Sequence, residues 1–282
     1  MGVASGFVDT PYFFGRYPFY PVMQRSPVVI VIESDLTERR DKALEFAQNH
    51  NLKVKDQVDT PSPELVLAFR DDVTELRDEQ VRPGRGMFVD YSSIDLRTGA
   101  GNLSRKQPLP RAIGKETKTV LDATAGFGYD AVLLACMGFE VQAVERSPVI
   151  AALLEDGLRR ALLDEGLNRA LGDRLRIQTG DSRDILEGMD PKPDAVYIDP
   201  MFPEKRKKSA LAKKHIRLVR QIVGEDPDAG ELLEVAMLHV RRRVVVKRPT
   251  HAEPLAGDPD LSFGGKLVRY DVYLPASTHR QS

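Results

Sequence analysis

The chain is poor in the residues that make covalent or metal-built frameworks. Cys136 is its only cysteine and sits in an apolar, helix-like stretch. A lone thiol excludes a disulfide framework and a paired-cysteine metal site. The five histidines are scattered without ligand spacing, so no metal centre is expected. Net charge is also nearly absent, at −1. No global field draws such a chain to a polyanion, and nucleic-acid binding would need a local basic patch. Runs of about 18 apolar residues are missing, which argues against a transmembrane helix. The N-terminus does not place an apolar region after a basic one, so no signal peptide is expected. These absences lead to the expectation of a soluble cytoplasmic protein. Its 282 residues, 41% of them hydrophobic, suffice for one large domain or a small one plus a larger one.

What is present is organised around Val120-Leu-Asp-Ala-Thr-Ala-Gly-Phe-Gly128. A short apolar run reads as a buried parallel strand. A tight Gly-x-Gly turn follows, and then helical periodicity from Tyr129 to Met137. Strand, glycine turn and helix make the first half of a nucleotide-binding βαβ unit. Gly126 and Gly128 let the backbone turn sharply and approach a ligand. A second strand, Glu140 to Val144, is closed by Glu145, 19 residues after Gly126. A strand-end carboxylate about 20 residues beyond the glycines is where ribose hydroxyls are met. A lone glycine turn also fits an ordinary strand-to-helix connection, and a nicotinamide-dependent oxidoreductase stays open on this motif alone.

Read from its beginning, the chain starts with an aromatic arm, residues 1–27, in which Phe7, Tyr12, Phe13, Phe14, Tyr17, Phe19 and Tyr20 crowd between prolines. It reads either as packing on the protein's own surface or as a stacking surface for unpaired bases. Residues 28–91 read as a small α+β lobe. It comprises a strand at Val28–Ile32, a helix capped by an Asp35/Glu38 box, and short strands at Leu65–Phe69, Thr74–Arg77 and Met87–Tyr91. Residues 92–118 read as a connection rich in basic residues, including Arg105, Lys106 and Arg111. It is either a solvated linker or a contact for RNA phosphate. From Thr119 to the end at 282, strand and helix alternate, which predicts a parallel α/β sheet. Ser147-Pro148 caps a helix, Leu175–Gln178 and Ala195–Ile198 are strands, and helices follow to Gly224 and around Leu232–Val240. Arg243–Lys247 is a further strand, and the alternating run Leu267–Leu274 is a last, antiparallel one. The glycine turn, Glu145, Asp181-Ser182 and Asp199 all fall at carboxyl ends of strands, the edge where ligands bind in such sheets.

A second motif, Asp199-Pro-Met-Phe-Pro203, narrows the chemistry. It has the form of the Asp/Asn-Pro-Pro-aromatic motif of methyltransferases that act on amines attached to planar systems. In such an amine the nitrogen lone pair is delocalised into the ring. Acceptors for its two hydrogens, here Asp199 and the Pro200 carbonyl, let the nitrogen become more tetrahedral as it attacks. Phe202 can stack on the base and hold it in line. The structural alternative is a strand-end turn in which Asp199 merely caps the next helix.

Four stretches together carry a resemblance. They are Asp122-Ala-Thr-Ala-Gly-Phe-Gly-Tyr-Asp130, the run from Val144 to Gly157, Tyr197-Ile-Asp-Pro-Met-Phe-Pro203 and Val244-Val-Val-Lys-Arg-Pro249. With Met87-Phe-Val-Asp-Tyr91, they resemble the bacterial small-subunit (16S) ribosomal RNA guanine-N2 methyltransferase family, RsmJ-like, from about Val28 to Leu274. The methionine that breaks the general motif is that family's own form. The resemblance implies a class I methyltransferase (Rossmann-like) α/β fold, with helices on both faces of a mostly parallel sheet. It implies S-adenosylmethionine as donor and small-subunit ribosomal RNA, or the ribosomal particle, as partner. By matching positions, Tyr129 and Asp130 lie beside the methionine part of the cofactor. Glu145 and Arg146 hold the ribose and flank the adenine, Asp181 and Ser182 sit by the adenine ring, and Asp199 lies where donor and base meet. Asp122, Gly126 and Gly128 complete the expected cofactor set. Where Tyr129 stands the family usually has arginine, and where Asp181 stands it often has serine.

A basic run follows the motif: Lys205, Arg206, Lys207, Lys208, Lys213 and Lys214. Beside the proposed target pocket these residues are expected to contact RNA phosphates, with Lys247 and Arg248 bordering the same edge. Adenine-N6 or protein-glutamine methylation and a non-catalytic RNA-binding relative remain alternative readings. The oxidoreductase reading gives Asp199-Pro-Met-Phe no task.

Overall fold

The computed structural model describes residues 28–56, 65–78, 86–97, 103–200, 222 and 226–276. The aromatic arm, the basic run and, save for Ile222, the helix expected up to Gly224 lie outside them.

The first layer is a four-stranded sheet. β1 (Val28–Glu33), α1 (Thr37–Asn49), β2 (Lys53–Lys55), β3 (Leu65–Arg70) and β4 (Thr74–Asp78) follow in chain order. The spatial order is β2-β1-β3-β4, parallel except for β4. The β-branched residues of β1 suit a buried strand, and α1 covers one face with Ala43 and Ala47. The expected Asp35/Glu38 capping box is not formed. Leu36 is the N-cap, and no side chain caps the helix. The backbone N–H of Asp35 instead donates to Asp71 Oδ1 at 3.2 Å, and that of Leu36 to Ser34 Oγ at 3.2 Å. Met87–Tyr91 is also not a strand. It makes one bridge, Met87 to Leu76, and then runs between the two layers. Its alternation arises there, with Val89 and Tyr91 buried and Phe88 46% exposed.

The segment between the layers contains α2 (Pro108–Ile113), started by proline at a position where the missing N–H costs nothing. Leu109, Ala112 and Ile113 are buried. Arg105 lies over the Phe139 ring at 4.7 Å, and Arg111 lies over Phe263 at 5.0 Å.

The second layer comprises β5 (Thr119–Asp122), α3 (Tyr129–Cys136), β6 (Glu140–Glu145), α4 (Pro148–Ala161), α5 (Glu165–Leu171) and β7 (Leu175–Thr179). It continues with α6 (Ser182–Gly188), β8 (Ala195–Ile198), α7 (Ala229–His239), β9 (Arg243–Pro249), β10 (Leu261–Gly264) and β11 (Val268–Tyr273). Strand order is β10-β11-β9-β8-β5-β6-β7. The pairs from β9 to β7 are parallel, and β11 is antiparallel to β9, as its sequence pattern predicts. Ser147 caps α4, accepting from the Ile150 N–H, with Pro148 in the first turn. Both faces of the sheet are covered, which explains the near-continuous apolar strands. Val120, Tyr197 and Val245 face a core shared with Ile30 and Leu67 of the first sheet. Leu121, Val196 and Val244 face a second cluster under α6 and α7. None of the described helices is long and apolar enough to cross a membrane.

The layers are also joined by charge. Asp156 on α4, almost fully buried, accepts from Arg39 of α1 at 3.2 Å and from Arg159 and Arg160 of its own helix. Arg39 also donates to Thr74 Oγ1 at 3.0 Å.

Candidate active site

The order of strands reverses at β5, which lies between β6 and β8. A crevice beyond the carboxyl ends is the geometric result. It holds a cavity of about 450 Å3, within the range of small-molecule sites. Its wall brings together Asp122, Gly126, Gly128, Tyr129, Asp130, Glu145, Arg146, Asp181, Ser182, Asp199 and Pro200. All of these were expected from the sequence. Phe202, Lys205, Arg206, Lys207, Lys208, Lys213 and Lys214 lie outside the described residues.

Gly126 and Gly128 take left-handed φ values of 54° and 72°. At Gly128 a Cβ would also stand 2.3 Å from Leu154 Cδ1. The turn is fixed from the first layer, because the Tyr91 hydroxyl donates to the Phe127 carbonyl at 2.7 Å. It is fixed from β6 as well. Glu145 Oε2 accepts the Gly126 N–H at 2.8 Å, and Oε1 accepts the Ser147 N–H at 2.7 Å. Burial raises the Glu145 carboxyl above its usual range, against the pull of these two N–H groups.

A charged cluster forms the floor. Lys247 Nζ donates to Asp130 Oδ2 at 2.8 Å and to Asp199 Oδ2 at 2.8 Å. The Tyr197 hydroxyl donates to the same Asp130 oxygen at 2.6 Å. Asp122 lies beneath, 1% exposed. Burial, with Asp130 and Asp199 close by, holds its carboxyl well above the usual range. Burial works against the Lys247 charge, but Asp199 and Asp130 overcome it and keep the amine protonated. The Asp199 backbone N–H donates to Thr124 Oγ1 at 2.6 Å, tying the loop after β8 to the loop after β5.

At the other end, most side chains already have protein partners. Asp181 accepts from Arg183 at Nε (3.0 Å) and NH2 (2.6 Å). Ser182 Oγ donates to the Ala123 carbonyl at 2.6 Å. Arg146 donates to Asp228 at 2.9 Å and to Asp226. The Tyr129 hydroxyl donates to the Asp90 carbonyl at 3.0 Å, leaving the ring 43% exposed at the cavity wall.

Two expected RNA contacts are placed elsewhere. Lys247 is committed to two carboxylates inside the cavity. Arg248 is 8% exposed and donates to the Glu253 carbonyl. A basic pair at a strand end reads as solvent-facing, but β9 is an inner strand between β8 and β11, and its successive side chains point to the two covered faces of the sheet. Thr124, Phe88, Asp226 and Asp228 line the cavity too and were not singled out in the sequence. Asp226-Pro-Asp228 before an apolar helical run is a helix-start pattern that could have drawn attention.

The family model described as "Putative SAM-dependent methyltransferase" matches residues 45–275. The chain belongs to this family. Relatives named ribosomal RNA small subunit methyltransferase J match it over long stretches. The one from Thioalkalivibrio sulfidiphilus is 51% identical over 176 residues, 60% of this chain and 68% of the relative. That from Shewanella amazonensis is 41% identical over 220 residues, 76% of this chain and 88% of the relative. The crystal structure of a SAM-dependent methyltransferase from Neisseria gonorrhoeae, 31% identical, superposes with a TM-score of 0.67 over 90% of this chain and 99% of that one. The class I methyltransferase fold and S-adenosylmethionine as cofactor follow from membership. The cavity fits that cofactor. A buried strand-end carboxylate can meet a ribose. Asp130 and Asp199 flank the single Lys247 ammonium, which gives that end of the cavity an acidic lining suited to a cationic sulfonium.

Proposed function

We propose that this methyltransferase modifies the N2 amine of a guanine in small-subunit ribosomal RNA. The observation that carries the reading is the position of Asp199-Pro200. It lies at the end of β8, on the cavity wall, with the carboxylate anchored by Lys247 and the backbone by Thr124. S-adenosylmethionine, when bound, supplies a methyl group on a sulfonium that departs as a neutral thioether with the bonding pair. Asp199 accepts a hydrogen of the target amine, so the nitrogen lone pair is freed from the ring as it attacks. The proton lost from nitrogen passes to that carboxylate and on to water. The Pro200 carbonyl is suited to the second amine hydrogen. Because these contacts strengthen as the nitrogen becomes tetrahedral, they favour the transition state over the ground state. The basic run from Lys205 to Lys214 follows directly in the chain and supplies phosphate contacts around a splayed-out base. Guanine N2 is chosen over adenine N6 on the resemblance of the motifs, since the acceptors suit either amine. A cytoplasmic location, where bacterial ribosomes are made, goes with this reading.

Tritium transfer from labelled S-adenosylmethionine to small-subunit RNA, followed by nucleoside digestion, tests the proposal. Label in N2-methylguanosine is the expected outcome. Label in N6-methyladenosine, or only in protein, would overturn the substrate assignment and leave fold and cofactor intact. Asp199→Ala should lower turnover far more than it changes cofactor affinity. Wild-type turnover in that variant would remove the acceptor role. Lys207→Ala with Lys208→Ala should weaken RNA binding and flatten its salt dependence, by a slope of about 0.7 per lost contact.

A further inference from the structure

The ladder between β8 and β9 pairs Tyr197 with Val245 and Ile198 with Val246. One step further along both strands, it brings Lys247 level with Asp199. The ammonium bonds to Oδ2 of Asp199 and, at the same 2.8 Å distance, to Oδ2 of Asp130 in the first turn of α3. We infer that Lys247 is a positioning residue for methyl transfer, holding Asp199 Oδ2 so that Oδ1 faces the target amine and locking that carboxylate to the donor side of the cavity through Asp130. The inference rests on the amine-methylation reading of the site.

The surroundings explain why a cation is needed there. The groups that face Asp199 are Asp122 at the end of β5, Asp130 on α3, Tyr197 on β8, Lys247 on β9, Asp226 before α7, and Tyr270 on β11, which flanks the cluster. Apart from Lys247 they are acidic or neutral. Burial already pushes the Asp199 carboxyl up, and Asp130 and Asp226 add to this. Lys247 opposes all three and favours the ionised acceptor. It also removes a torsional freedom, because a carboxylate with one oxygen pinned presents the other in a fixed direction.

Lys247→Gln separates this role from simple packing. Asp199 must be ionised to take up the amine proton, so turnover falls as pH drops through its pKa. Loss of a cation within bonding distance should raise that pKa. The acid limb of the kcat profile should therefore move to higher pH. At neutral pH kcat should fall about 10- to 100-fold, with the KM for RNA nearly unchanged. Lys247→Arg should return the limb toward the wild-type pH. The Asp199 carboxyl 13C resonance, assigned by difference with Asp199→Asn, should titrate higher in Lys247→Gln than in wild type. If Lys247→Gln does not fold, Lys247→Gln with Asp130→Asn removes one charge of each sign and carries the same measurements. An unmoved acid limb and an unmoved Asp199 titration would overturn the inference. So would an unchanged kcat with a raised RNA KM and a flatter salt dependence, which would make Lys247 a phosphate contact. If wild-type protein transfers no label to RNA, the substrate reading fails, while the carboxyl titration still decides the role of Lys247.

Discussion

Glu145 uses both carboxyl oxygens to hold backbone, one at the glycine turn and one at the start of α4. Each oxygen keeps a lone pair for a ribose hydroxyl. Glu145→Ala should therefore weaken S-adenosylmethionine binding by about 1.5–3 kcal/mol, the worth of a charge-assisted hydrogen bond. Calorimetric titration checks this, and unchanged affinity would refute the ribose assignment. Asp122 makes a different prediction. Its folded-state pKa is raised above the unfolded value, so its stability contribution is full below the unfolded pKa and is lost as pH rises toward the folded one. Asp122→Asn keeps the acceptor for the Thr124 N–H and cannot ionise. Thermal unfolding should show this variant gaining on wild type from pH 4 to pH 8, and a constant difference would contradict the raised pKa of the buried carboxyl. At this scale the sequence was most readable where a residue's place on the cavity wall follows from its place on a strand: Glu145, Asp199 and the two glycines. It was least readable for Lys247 and Arg248. Their burial depends on β9 being an inner strand, with β8 and β11 paired on either side, which the local pattern does not reveal.

Among the elements, α4 joins the layers most closely. A Cβ on Gly157 would stand 2.7 Å from Val89 Cγ1 and 3.2 Å from Tyr91 Cε2. Alanine is the better helix former by about 1 kcal/mol. Here overpacking, typically about 1–3 kcal/mol, should win. Gly157→Ala should thus lower Tm, and it should weaken cofactor binding too, because a displaced Tyr91 loosens its hold on the Phe127 carbonyl. A raised Tm would show that α4 and the Met87–Tyr91 segment have room to part. The long periodic elements of the second layer were legible from residue pattern. The missed ones are short, α5 and α6 at seven residues each among them. β2 is three residues with lysine at both ends, and β10 is mostly exposed, so both owe their existence to a neighbouring strand. α2 falls in the stretch read as a basic connection, with Pro108 and Pro110 in its first turn. Met87–Tyr91 alternates like a strand, with no local sign that its pairing is limited to the single Met87–Leu76 bridge.

For the whole molecule, the two sheets share one hydrophobic cluster and one buried charge network. Asp156→Ala would leave Arg39 buried without its carboxylate. Breaking such a pair costs about 3–5 kcal/mol. Denaturant unfolding should show a single transition at lower midpoint for this variant, whereas two separated transitions would mean that the layers unfold independently. The cavity wall draws on the segment between the layers, with Phe88 and Val89, and on the second sheet, with Asp199 and Glu145. Any ligand seated there acts as a staple between them. By mass action, cofactor at 100 times its Kd should add about 2.7 kcal/mol to the folded state. Because that gain belongs to both sheets together, protease cuts in the small lobe, far along the chain from the glycine turn, should slow by the same factor as cuts in the large one.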